Sequence, residues 1–172
     1  MKETSKGWVR IYTYKEGLLA RAAHDLQLSC TRFRVCVDDQ QVTARFFPES
    51  FQVDGALQRG VLLVDELSES DRRQILKNVK EEILRCSRFP EIVFRGQGAS
   101  RERGYRASGE LELVGKSCPL ELSIERFGEE LRGEVELRPS RWGIAPFKAL
   151  MGAIRLQDRI KVAFGISAEV AS

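Results

Sequence analysis

The stretch Tyr105–Ile124 reads YRASGELELVGKSCPLELSI, and its alternation decides the fold class. Tyr105, Ala107, Gly109, Leu111 and Leu113 fall on one face of an extended chain, while Ser108, Glu110 and Glu112 fall on the other. Gly115-Lys116 turns the chain, and Leu120, Leu122 and Ile124 return along the same face. A helix would scatter these residues around its circumference, whereas a half-buried strand sends every second one inward.

The same period runs outward in both directions. Upstream, Ile92 and Phe94 lead to the turn Arg101–Gly104; downstream, Gly128-Glu129-Glu130 turns into Leu131, Gly133, Val135 and Leu137. Ile160, Val162, Phe164, Ile166 and Ala168 share one face of a last strand. Near the start, Val9, Ile11 and Thr13 alternate with Trp8, Arg10, Tyr12 and Tyr14 before a turn at Glu16-Gly17. Leu26, Leu28 and Cys30 make the next inward face, continued by Phe33, Val35 and Val37. Asp38-Asp39 turns the chain into Val42, Ala44 and Phe46.

One segment has a different period. From Ser70 to Cys86, Ile75, Leu76, Val79, Ile83 and Leu84 recur at three- and four-residue steps, which predicts a helix with one apolar stripe. Ser68, followed by Asp71, and Ser70 itself each offer a side-chain oxygen to cap the first amides, and Phe89-Pro90 is expected to close the segment. Pro139 to Gln157 is irregular, with a short helix expected around Phe147–Met151. Strands in sequence joined by short polar turns form meanders whose edges must be closed or covered. The expected architecture is all-β with one helix: an eight-stranded antiparallel barrel, the helix over an opening, with Gly109 and Gly133 at sharp bends.

Composition narrows the chemistry. The 172 residues suit a single domain, 1–172, and no linker or repeat divides them. With 28 Lys and Arg against 25 Asp and Glu, the net charge of +3 is too small for a phosphate-backbone grip, so no nucleic-acid partner is expected. His24 is the single histidine, which excludes any site needing two imidazoles. Cys30, Cys36, Cys86 and Cys118 form no CxxC pair and read as reduced thiols. The polar start Met1–Gly7 and the lack of an apolar run of about eighteen residues argue for a cytoplasmic protein without stable membrane insertion.

Several segments, in order, resemble the YceI-like family. Ser87–Phe94 (SRFPEIVF) is similar to its segment entering a strand after a helix, and Gly115–Leu122 (GKSCPLEL) to its hairpin. Pro139–Ile144 (PSRWGI) and Asp158–Val162 (DRIKV) resemble its late elements, so the likeness runs from about Trp8 to Val170. This resemblance implies an extended lipocalin-like barrel holding an isoprenoid chain, a polyprenyl compound or a quinone, with no catalytic cofactor. Many relatives carry a signal peptide, which is not seen here.

An apolar chain needs a dry tube and one polar contact at its head. The candidate lining is Phe33, Phe46, Phe94, Leu111, Leu122, Val135, Trp142, Phe147 and Phe164, each of which is also good core material. Trp142 and Phe147 stand out because they sit in the irregular segment, where a loop would cap a mouth. His24 reads either as a structural residue at a strand start or as a head-group contact; adjacent on a strand, His24 and Asp25 face opposite ways and make a poor dyad. Arg141, with Lys148, Arg155 and Arg159, reads either as surface charge or as a partner for a diphosphate or quinone head. The expected function is non-enzymatic binding or carriage of an apolar isoprenoid-like lipid. The alternatives are a ligand-free barrel acting as a protein-interaction or stress-related scaffold, and a small hydrolase or isomerase using His24. A homodimer is left open.

Overall fold

The structure, a computed structural model, describes residues 1–16, 24–149 and 154–171. Its strands are β1 (Lys2–Thr4), β2 (Gly7–Glu16), β3 (Asp25–Cys30), β4 (Phe33–Asp38), β5 (Gln41–Phe46), β6 (Phe51–Gln58) and β7 (Val61–Leu63). After helix α1 (Glu69–Lys77) come β8 (Ile92–Arg101), β9 (Gly104–Leu113), β10 (Lys116–Phe127), β11 (Glu130–Leu137), β12 (Lys148–Ala149) and β13 (Ile154–Ser167). Every pairing is antiparallel, in the order β1-β4-β5-β8-β9-β10-β11-β13-β2-β3-β6-β7, with β12 attached to β13.

Two facts of the chain make this sheet curl. First, β3 runs into β4 across Thr31-Arg32, and β5 runs into β6 across the short 3-10 turn Pro48–Ser50. The breaks lie opposite one another: Phe47 N–H donates to the Arg32 carbonyl at 3.1 Å and Thr31 N–H to that of Ser50 at 3.4 Å. The two ends of the strand order therefore share one long, broken hairpin. Second, glycine lets neighbouring strands approach at bends. A Cβ on Gly133 would stand 2.6 Å from the Phe164 ring, and one on Gly109 would strike the Arg95 carbonyl and Gly96 Cα.

The strand count is not the expected eight: thirteen strands join the sheet among the described residues. The breaks split two long strands into four, and the short strands β1, β7 and β12 add edges that alternation in the sequence does not show. Strand β6 was hidden by a bulge. Gln27 pairs with Gly55 and Leu28 with Val53, so Asp54 is the extra residue and the inward alternation begun by Phe51 and Val53 resumes out of step at Ala56. The Asp54 carboxylate accepts from Gln27 Nε2 at 2.8 Å and Ser29 Oγ at 2.7 Å, which holds the bulge in place.

Of the two candidate caps the helix uses Ser68, and Ser70 lies inside it. Ser68 Oγ accepts the Asp71 amide at 3.1 Å, and the Asp71 carboxylate accepts the Ser68 amide at 3.1 Å, a reciprocal capping box. These bonds hold the Asp71 carboxyl below its ordinary range. Helix α1 then widens into a π-helical turn, Asn78–Ile83, and ends at Leu84, before Phe89-Pro90, because Arg85 turns into the left-handed region at φ 49°. Of the short helix expected at Phe147–Met151, Lys148–Ala149 are strand β12 and residues 150–153 lie outside the described residues, as does Gly17 of the Glu16-Gly17 turn. The last strand stops at Ser167; Ala168 opens a final 3-10 turn.

Two turns lie one residue away from those read in the sequence, Gly115-Lys116 and Asp38-Asp39. Val114-Gly115 and Asp39-Gln40 link their strands through two residues, with positive φ at Val114, Gly115 and Asp39. Outside, charges pair across the sheet, as in Arg95–Glu112 at 3.1 Å and Arg106–Glu121 at 2.8 Å. Inside, the apolar faces of successive strands meet.

Candidate functional site

Register decides which side chains share the interior. Leu137 pairs with Ile160, Ile160 with Thr13 and Thr13 with Leu26, making one row around the curl. The next row is Val135, Val162, Ile11 and Leu28. On the opposite wall, Ala44 pairs with Phe94, Phe94 with Leu111, and Leu111 with Cys118. Between these walls lies a cavity of about 470 Å³ whose lining is almost entirely apolar. That volume lies within the range of small-molecule sites.

The helix closes one side of it. Ile75, Asn78, Val79, Ile83 and Leu84 line the cavity, so the apolar stripe read from the sequence faces the hollow except for Leu76, which packs against the core. Two cations tie the helix down. The Arg72 guanidinium donates to the carbonyls of Val53, Asp54 and Val64, and Lys80 Nζ donates to the Glu49 carbonyl at 2.6 Å. The helix is thus fastened to β6, to the segment after β7 and to the turn between β5 and β6.

Of the expected site residues, Phe46, Phe94, Leu111, Phe147, Phe164 and His24 lie on the cavity wall, together with Leu122 and Val135. Three do not. Phe33 is buried, pairs with Phe46 across β4 and β5, and packs on it with ring centroids 6.5 Å apart. Trp142 is 2% exposed, and its indole N–H donates to the Leu111 carbonyl at 2.8 Å. A buried indole needs an acceptor, and that bond draws the ring into the core and away from any mouth. Arg141 follows Trp142: its guanidinium lies 5.3 Å from the indole ring and donates to the Pro119 carbonyl at 3.2 Å. Cys118 Sγ adds a donation to the Arg141 carbonyl at 3.3 Å, so Pro139–Trp142 is clamped onto β10.

Apart from Asn78 on the helix side, the polar lining residues gather at one end. Thr13 is near the end of β2, His24 just precedes β3, and Arg155, Gln157 and Asp158 are at the start of β13. Here the β2–β13 ladder slips. Lys15 pairs with Leu156 and Thr13 with Ile160, so Gln157, Asp158 and Arg159 stand against Tyr14 alone. This bulge brings Gln157 and Asp158 to the cavity. The Asp158 carboxylate accepts from Ser140 N–H at 2.9 Å and from its hydroxyl, and Gln157 Nε2 donates to the Lys15 carbonyl at 3.1 Å. Thr13 Oγ1 is buried without a hydrogen-bond partner among the described residues. Sequence reading picked out His24 and Arg155 here but missed Thr13, Gln157 and Asp158; a bulge leaves no periodic trace.

Chemically, the arrangement encloses apolar matter and offers polar groups at one extremity. Among the described residues no group of His, Cys, Asp and Glu side chains gathers as a metal site requires. All four cysteines are unpaired, and burial pushes the Cys86 thiol pKa up, aided by the Glu49 charge. No helix among the described residues is long and apolar enough to cross a membrane.

A curled antiparallel sheet with an internal apolar cavity defines a class of binding fold. The YceI-like domain model matches residues 33–168, and the chain belongs to that family. Among solved structures, it is similar to BcnA of Burkholderia cenocepacia, with TM-score 0.62 and 11% identity over 96% of this chain and 99% of that one. It is also similar to a polyisoprenoid binding domain from Saccharophagus degradans implicated in plant cell wall breakdown. There the TM-score is 0.60 and the identity 7%, over 94% of this chain and 92% of that one. A search of curated proteins finds no match. At these identities the solved structures establish the shared fold.

Proposed function

We propose that the protein binds an apolar, isoprenoid-like lipid inside the curled sheet, without catalysing a reaction on it, in the manner of a lipocalin-like barrel. The observation that carries this reading is the cavity of about 470 Å³ with its almost wholly apolar wall. Interiors ordinarily pack to crystal density, so a hollow of this size forfeits dispersion contacts along its whole lining. A guest that filled it would restore them. The S. degradans relative, described as a polyisoprenoid binding domain, supports the same ligand class. Polyprenyl compounds and prenylated quinones both fit this chemistry, and unpaired cysteines agree with a cytoplasmic setting.

The test is organic extraction of the purified protein followed by mass spectrometry, with delipidated protein titrated with a fluorescent polyene lipid. A co-purified isoprenoid, or saturable one-site binding, is the expected result. Protein that yields no lipid and shows no saturable uptake would refute it. The scaffold alternative would then be preferred. It is disfavoured here because the helix turns its apolar stripe to the cavity and its charged face outward, where a partner would have to dock.

A further inference from the structure

We propose that the bound molecule carries a neutral, hydrogen-bonding head group, a hydroxyl or carbonyl, and that Thr13 is the residue that holds it. This inference rests on the lipid-binding reading and adds the orientation and chemistry of the ligand.

The argument starts from the inward face of β2, which is Val9, Ile11 and Thr13. The row around Thr13 is otherwise apolar: Leu137, Ile160 and Leu26. Its hydroxyl thus has no side-chain partner across either ladder and is buried without one among the described residues. Buried hydroxyls are normally satisfied, and one left unpaired at the wall of a hollow points to a partner that occupies the hollow. The β13 bulge lies beside it and brings Gln157 and Asp158 to the same end of the cavity. Farther along β2 toward Gly7, the inward side chains Ile11 and Val9 are hydrocarbon. A chain-like ligand would therefore lie with its apolar tail toward Val9 and its head at Thr13.

The charges at this end select a neutral head. Arg155 is the one permanent cation among the described lining residues, and it is exposed. Against it stands Asp158, whose carboxylate is fixed by two bonds from Ser140. A diphosphate is recognised by clustered Arg, by fork-like pairing or by a nest of amides. Here it would meet a fixed carboxylate. A threonine hydroxyl, which both donates and accepts, suits an alcohol or a quinone carbonyl equally.

The test uses delipidated full-length protein and three probes of one chain length: geranylgeraniol, geranylgeranyl diphosphate and the saturated hydrocarbon phytane. In the wild type, the alcohol should bind more tightly than phytane by about three- to tenfold, the worth of one neutral hydrogen bond. The diphosphate should bind no better than the alcohol. Thr13→Val keeps the β-branched shape and should bring the alcohol down to the level of phytane while leaving phytane unchanged; Thr13→Ser should retain the preference. An undiminished preference for the alcohol in Thr13→Val, or a tighter diphosphate in the wild type, would overturn the assignment while phytane binding upholds the cavity. Failure of all three probes would overturn both. Should Thr13→Val not fold, the wild-type ranking and the Thr13→Ser variant still decide.

Discussion

Replacing Ala107 by Phe tests whether the interior is hollow. Ala107 is 2% exposed and lines the cavity. Its neighbours across the ladders are Leu122 and Gly98, the latter without a side chain. A ring projected from this position would enter the cavity of about 470 Å³. The added apolar area, about 100 Å², corresponds to about 2.5 kcal/mol of gross burial at ~25 cal/mol per Å². Lost rotamer freedom and imperfect fit reduce this, and cavity-filling substitutions typically net about 0.5–2 kcal/mol. For a chain of this length that is a rise in Tm of about 1–8 °C, read by calorimetry on delipidated protein. Lipid uptake should fall in parallel, since ring and ligand compete for one space. A solid interior predicts the reverse: overpacking would cost about 1–3 kcal/mol and lower Tm. A lowered Tm with unchanged uptake would refute the reasoning.

Three further outcomes follow from the contacts around the cavity. Arg72→Met removes the donations to the Val53, Asp54 and Val64 carbonyls and should destabilise by about 1–3 kcal/mol, with faster hydrogen exchange over 69–83 and faster lipid exchange. Unchanged exchange would mean that the helix is held otherwise. Trp142→Phe leaves the Leu111 carbonyl without its indole donor; chemical denaturation should show a loss of about 1–3 kcal/mol while lipid affinity stays put, whereas lost affinity with intact stability would return Trp142 to the site. Ser68→Ala should cost about 1 kcal/mol by removing the cap. Because its bonds to Ser68 lower the Asp71 pKa, the stabilisation it confers is complete above the ordinary Asp value of about 3.9 and is lost as pH falls through the lowered value. Circular dichroism below pH 4 should therefore show acid fraying of the helix that is weaker in Ser68→Ala, and equal fraying in both would count against the capping box.

Much of the fold could be read from one dimension. The alternation in Tyr105–Ile124 yields β9, β10 and the turn between them because side-chain direction in a strand depends on the local backbone alone. The Ser68–Asp71 cap and the apolar stripe of Ile75, Val79 and Ile83 locate the helix for the same reason. Bulges escape such reading. Asp54 throws β6 out of step, and the three residues facing Tyr14 carry the polar end of the cavity, yet each is defined only by a partner strand distant in sequence. Arg85, in the left-handed region, ends the helix earlier than Phe89-Pro90 implies.

Phe33 and Phe46 show where local pattern stops being sufficient. Both face inward by period two and they pair directly, yet Phe46 borders the cavity and Phe33 is packed beside it. Trp142 looked like a cap on the mouth until the acceptor its indole required proved to be the Leu111 carbonyl, across the sheet. Which face of each strand turns inward is a property of the chain's own alternation, and it was settled residue by residue along the sequence. Whether the inward side chains meet or leave a hollow depends on how far those from opposite walls reach, how sharply glycines such as Gly133 let the sheet bend, and where the helix is tied. Those are sums over contacts between distant segments, and they exist only once the sheet has curled.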